Sequence, residues 1–133
     1  MLLEDKTINA GPGVWGEVVA KLYKKYNAVT QTTVVVESNF GGQMCVDVIK
    51  KADPNVWCQK VVAQKSKGIR ALSIVGLYEQ ERVWHASDMV ELEDQMKHMT
   101  ASGYQGDGSP DRLDAAVHAL RHLVADNASY TIR

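Results

Sequence analysis

The sequence predicts an α/β layer fold with some parallel strand pairing, and three observations carry that expectation. A β-branched run, Val34-Val35-Val36, ends on Glu37 and leads through Gly41-Gly42 into a helical segment. Such a run reads as a buried strand, and a carboxylate at its C-terminal end sits where α/β folds place ligands. Strand-like runs then alternate with helix-period segments along the chain. Finally, Ser109-Pro110 precede a helix-period stretch with Asp111 and Asp114 in its first turn, the chemistry of an N-cap serine and an N1 proline.

Taken in order, residues 2–8 read as a short strand, with Glu4 and Lys6 giving partial alternation, and Gly11-Pro12-Gly13 as a turn. Residues 14–26 read as an amphipathic helix, because Trp15, Val18, Val19, Leu22 and Tyr26 recur at helical spacing while Glu17, Lys21, Lys24 and Lys25 face outward. A strand over 32–37 follows, then a helix over 42–51 stopped by Asp53-Pro54-Asn55, then a strand over 57–63. Residues 66–68 read as a loop, 69–80 as a helix, 82–85 as a short edge strand and 91–99 as a short helix. A Gly-rich loop spans 101–108, and the last helix runs over 109–125 with Leu113, Val117, Leu120 and Val124 on its buried face. No internal repeat, low-complexity tract or linker interrupts the pattern.

The 133 residues suit a single domain that buries about two-thirds of its unfolded surface. No apolar run approaches the roughly 20 residues needed to span a bilayer, so no membrane role is expected. The first residues, Met1-Leu2-Leu3-Glu4-Asp5-Lys6, are too short and too charged for a signal peptide, which makes the cytoplasm the expected location. Cys45 and Cys58 lack a CxxC spacing and read as reduced thiols. A net charge of −1 does not advertise a nucleic-acid binder. Lys60, Lys65, Lys67 and Arg70 nevertheless form a local basic cluster, which is either a solvated lysine-rich loop or a phosphate-contacting stripe.

Two groups of residues are candidates for chemistry. Glu37, at the end of a buried strand, must be solvated, paired or bound to metal, and Asn39 beside it is either a turn residue or an orienter. Gly41 and Gly42 permit a tight strand-to-helix turn with close backbone approach. Asp111 and Asp114 share one helix face near a positive helix end, which is a metal-ligand arrangement and equally a common stabilising one. Asp107 precedes them. His118 and His122 have the i, i+4 spacing that zinc sites use, but no HExxH pattern or further ligand accompanies them. His85 and His98 carry no pattern. No P-loop, dinucleotide fingerprint or Ser-His-Asp spacing occurs, so an NTPase reading has no support.

Five blocks taken together are more specific. They are Glu37-Ser38-Asn39-Phe40-Gly41-Gly42-Gln43-Met44, Ser66-Lys67-Gly68-Ile69-Arg70-Ala71, Gly76-Leu77-Tyr78-Glu79-Gln80-Glu81-Arg82-Val83-Trp84-His85, Leu92-Glu93-Asp94-Gln95-Met96 and Ser109-Pro110-Asp111-Arg112-Leu113-Asp114-Ala115. In order and spacing the chain resembles the C-terminal nuclease domain of phage terminase large subunits, the DNA-packaging motors, over nearly its whole length. The resemblance implies a ribonuclease H-like mixed sheet flanked by helices. It implies three acidic residues holding two Mg²⁺ or Mn²⁺ ions for hydrolysis of DNA phosphodiesters during genome packaging. Hard carboxylate oxygens suit those ions. Residue by residue, Glu37 matches the second acid and Asp111 the third, with Asp114 as the alternative or a helper. Lys65, Lys67 and Arg70 fall in a block expected to approach DNA phosphate. The implied partners are double-stranded DNA, the portal and the small terminase subunit, and the implied location is the host cytoplasm.

The departures are equally specific. The family's first strand and its catalytic Asp have no counterpart, and Asp5 does not replace it. The chain is therefore expected to be truncated at its N-terminal strands, without an ATPase domain and with an incomplete two-metal site. Glu81 stands where the family has a turn Gly. A missing first strand leaves an apolar edge beside residues 34–36, from which a homodimer is expected. The rival reading is a non-catalytic DNA-contact or packaging-assembly module, or a prophage remnant.

Overall fold

The computed structural model describes the backbone of residues 1–39 and 41–131 and the side chains of 1–39 and 41–125. The chain divides into two compact units. One is Lys6–Ala63, and the other joins Met1–Asp5 to Gln64–Arg133.

The first unit is a βαβ crossover with an additional helix. Helix α1 (Pro12–Asn27) starts on a proline, whose missing N–H costs nothing at that position, and carries Lys24 and Lys25 in its last turn, where the helix dipole favours cations. The expected stripe of Trp15, Val18, Val19, Leu22 and Tyr26 is half-buried. The fully buried positions are the small residues Gly16 and Ala20. A Cβ on Gly16 would lie 2.9 Å from Val48 Cγ1, so small residues let α1 come close to α2. Strand β1 (Val34–Glu37), helix α2 (Gly42–Ala52) and strand β2 (Cys58–Val61) complete the unit. The strands pair in parallel, from Val34 opposite Cys58 to Glu37 opposite Val61. The expected parallel pairing is thus present, in strands of four residues each. Only Val36 of β1 is fully buried, and among the described residues β1 is paired with β2 alone.

Helix α2 stops as its sequence indicates. The Asp53 side chain accepts the Asn55 N–H at 2.9 Å, an Asx turn that competes with further helix. Ala20, Val36, Val46, Ile49 and Val56 form the core of this unit, flanked by Trp15, Val19, Tyr23 and Val34. Cys45 and Cys58 are free and half-buried, and burial pushes the Cys58 thiol up against the opposing pull of Lys50.

The second unit is mainly helical: α3 (Lys67–Glu79), α4 (Val90–Lys97), a hairpin of β3 (Met99–Thr100) and β4 (Gly103–Tyr104), and α5 (Asp111–Thr131). Residues 66–68, expected as loop, open α3 instead. The Ser66 hydroxyl accepts the Ile69 N–H and satisfies a donor that the first helical turn leaves orphaned. Ala71, Ile74, Val83, Met89, Leu92, Leu113, Val117 and Leu120 form one core. On α5 the expected face is buried at Leu113, Val117 and Leu120, whereas Val124 is exposed.

Three further expectations change. Residues 2–8 and 82–85 are not strands. They meet in one parallel bridge between Leu2 and His85, in which Leu2 N–H donates to Trp84 O (2.9 Å) and Ala86 N–H to Leu2 O (2.8 Å). The Gly-rich loop contains β4, and its turn is tied by Thr100 Oγ1 donating to Gly103 O at 2.9 Å.

The chain after α3 turns on Glu81. Its N–H donates to Tyr78 O and the Arg82 N–H to Leu77 O, the paired bonds of a Schellman cap. That cap needs a left-handed residue, and Glu81 supplies it at φ 53°. The position with a family glycine is therefore a helix C-cap, not a hairpin turn.

Candidate active site

Glu37 closes β1 and is half-buried. Its backbone is held on both sides. Val61 pairs with it across the sheet, and the next residue, Ser38, donates its N–H to Val61 O at 2.8 Å. Asn39 then clamps the end of β2. Its amide donates to Ala63 O (2.8 Å) and its carbonyl accepts the Ala63 N–H (3.3 Å). These two bonds tie the segment after β1 to the segment after β2. The helix start packs directly on the peptide of the acid. A Cβ on Gly42 would lie 2.7 Å from Glu37 O, and Gly41 is left-handed at φ 81°. Both glycines are thus required by the geometry that fixes Glu37. Lys60 belongs to this unit and donates to Gln43 Oε1 at 2.9 Å, so the sequence-local basic cluster divides between the two units.

In the helical unit the other named residues converge. Lys67 and Arg70 lie in the first turns of α3, Asp111 and Asp114 in the first turn of α5, and the two helices pack together. Asp114 is buried. Arg70, also buried, donates Nε and Nη2 to Asp114 Oδ1 (3.1 and 2.9 Å) and Nη2 to Oδ2 (2.9 Å). Arg70 Nη1 donates to the Lys65 carbonyl. This fork geometry is specific to a guanidinium.

Asp111 is exposed and accepts from Lys67 Nζ at 2.8 Å and Ser109 Oγ at 2.7 Å. Lys67 Nζ also donates to Ser109 Oγ at 2.7 Å and lies 4.0 Å from Asp114 Oδ2. The Lys67 and Ser109 hydrogen bonds hold the Asp111 carboxyl below the usual carboxylate range. The Ser109 hydroxyl, expected to cap α5, is turned to this carboxylate instead. The first helical bond of α5 runs from Asp114 N–H to Pro110 O.

His118, weighed in the sequence only with His122 as a zinc-type pair, stands closer to the acids. His118 lies one turn beyond Asp114, with Nε2 3.9 Å from Asp114 Oδ1. An Asp-x-x-x-His spacing on one helix face is the signal that points to it. A separate polar chain in the same unit links Tyr78 OH to His85 Nε2 (2.9 Å) and His85 Nδ1 to Glu93 Oε1 (2.8 Å). The His85 hydrogen bond holds Glu93 low, while burial and then the Glu93 charge push Tyr78 up.

The donor set of α5 fits a hard cation. Carboxylate and hydroxyl oxygens from Asp111, Asp114 and Ser109 already surround one positive charge, the Lys67 ammonium. Oxygen ligands of this kind suit hard divalent cations over softer metals.

The profile of the terminase RNaseH-like domain matches residues 9–123 of the 133-residue chain, across both units. The chain belongs to this family, and its mixed α/β architecture is that of a ribonuclease H-like domain. No curated protein and no solved structure matches it. Among the described residues, no helix is long and apolar enough to cross a membrane.

Proposed function

We propose that this chain is the nuclease-type domain of a phage terminase large subunit and cuts double-stranded DNA during genome packaging. The observation that carries the reading is the family match over 9–123, which includes every residue of the candidate site. In this reading both compact units act as one domain, with Glu37, Asp111 and Asp114 as the ligands of Mg²⁺ or Mn²⁺. Ions held there would supply charge neutralisation at the scissile phosphate and ease deprotonation of the attacking water.

The chain's own residues have separate tasks. Glu37 is fixed at the strand end by the Asn39 clamp and by the helix start at Gly42. Arg70 orients the Asp114 carboxylate, and Lys65 and Lys67 face DNA phosphate. Portal and small terminase subunit are the packaging partners of this reading.

A second reading, a DNA-contact or assembly module without catalysis, also draws on a specific observation. Asp111 and Asp114 are already matched by two cations of the same unit, Lys67 and Arg70. Plasmid nicking in Mn²⁺ separates the two. The nuclease reading expects nicking by the native chain and its loss in Glu37→Ala and Asp111→Ala. Equal nicking by all three excludes these acids. No nicking, with DNA binding that weakens as salt rises, establishes the second reading.

A further inference from the structure

Of the two cations facing the α5 acids, one is built in and one is movable. Arg70 is buried, and its guanidinium is fixed by both Asp114 oxygens and by the Lys65 carbonyl. Lys67 ends a flexible four-carbon stem, its side chain is 37 % exposed, and its contacts go to the exposed Asp111 and to Ser109. An ammonium is a compact point charge without the rigid fork that holds Arg70 in place. It sits among the very oxygens that a divalent ion would use.

We infer that Lys67 is an internal counter-ion of the candidate metal site, displaced when a divalent cation binds and then free to take a DNA phosphate. The inference rests on the proposed metal role of Asp111 and Asp114. Two cations cannot share Asp111 Oδ1 at ligand distance without strong repulsion, and the doubly charged one gains more from two carboxylates. The native charge pattern supports the exchange. Lys67, Arg70, Asp111 and Asp114 sum to zero, so the acids are kept from repelling one another before metal arrives.

Arg70 stays and keeps Asp114 oriented, while Lys67 leaves. The released amine belongs to the first turn of α3, a helix of 13 residues whose N-terminal end favours anions. Metal loading thereby converts an internally spent charge into a phosphate contact. DNA held through Lys67 follows metal and does not precede it.

The test uses the full chain, free of DNA, with Mn²⁺ as the probe. Acetylation of lysine amines, read by mass spectrometry, should rise severalfold at Lys67 when Mn²⁺ is added and stay level at the exposed Lys21. Mn²⁺ titration by electron paramagnetic resonance should find about tenfold tighter binding in Lys67→Gln than in the native chain, with Lys67→Arg close to native. The salt dependence of DNA binding in Lys67→Gln should lose about one phosphate contact in Mn²⁺ and none in EDTA. Unchanged labelling, with equal Mn²⁺ affinity in Lys67→Gln and weaker affinity in Asp114→Asn, overturns the counter-ion role and leaves the metal site standing. Absence of Mn²⁺ binding in native chain, Lys67→Gln and Lys67→Arg removes the metal site and the inference together.

Discussion

Replacing Arg70 by Met asks how much of the helical unit rests on one buried ion pair. The side chains of Arg70 and Asp114 are 5 % and 7 % exposed and share three hydrogen bonds. Methionine fills a similar unbranched volume, so the substitution removes the charge and the donors more than the packing. It leaves the Asp114 carboxylate buried with its main partner gone. Breaking a buried pair in this way costs about 3–5 kcal/mol, against a total stability of about 5–15 kcal/mol for a domain. Urea unfolding followed by circular dichroism should therefore show a large fall in midpoint at an unchanged slope. The double variant Arg70→Met, Asp114→Leu should recover at least half of the loss, because it removes the stranded charge as well. A single variant within about 1 kcal/mol of native would refute the reasoning, since a pair so enclosed cannot be both present and inconsequential. A double variant no better than the single would place the loss in packing and not in charge.

Two backbone predictions follow from the turns. Glu81→Gly should stabilise the chain by about 0.5–1 kcal/mol, because the left-handed conformation costs an L-residue about 1–2 kcal/mol and the entropy of an unfolded glycine returns part of that. Differential scanning calorimetry should read a rise of about 2–4 °C, and a fall would show that the Glu81 side chain contributes more than its backbone loses. Gly42→Ala should destabilise by about 1–3 kcal/mol, because the new methyl meets Glu37 O at 2.7 Å and backbone must move. An alanine accepted without loss in chemical unfolding would show that the strand-to-helix turn relaxes freely.

Helical periods were the most legible part of the sequence. The helices expected over 14–26, 42–51, 69–80 and 91–99 lie within two residues of their observed ends, and α5 runs six residues past the end expected for it. Weak local signals explain the misses. Ser66-Lys67-Gly68 has turn composition, yet Ser66 is a cap and α3 begins at once. The hairpin of β3 and β4 has two residues per strand, too few for any alternation to register. Residues 2–8 alternate like a strand, but a strand requires a neighbour, and only Leu2 finds one.

At the site, the sequence named Glu37, Asp111, Asp114, Lys67 and Arg70 but not who faces whom. Lys-x-x-R and Asp-x-x-D each put two charges on a helix face. Their pairing depends on α3 packing against α5, which brings together residues 44 apart in the chain. The glycine position at Glu81 was the reverse case. The resemblance implied a turn glycine there, and the structure has a left-handed glutamate in a helix cap.

The five N-terminal residues pack with the portion of chain that starts at Gln64, not with the segment that directly follows them. The polypeptide consequently crosses between its units twice, and the βαβ segment is an insertion in the helical one. Asp5, which does not serve as a catalytic acid by motif, has a different employment: its carboxylate accepts from Arg112 Nε at 2.8 Å. An expression fragment beginning at Gln64 would therefore strip His85 of its Leu2 bridge and Arg112 of its carboxylate. Isolating the helical portion calls for a gene that keeps the first five codons and replaces those of 6–63 with a linker.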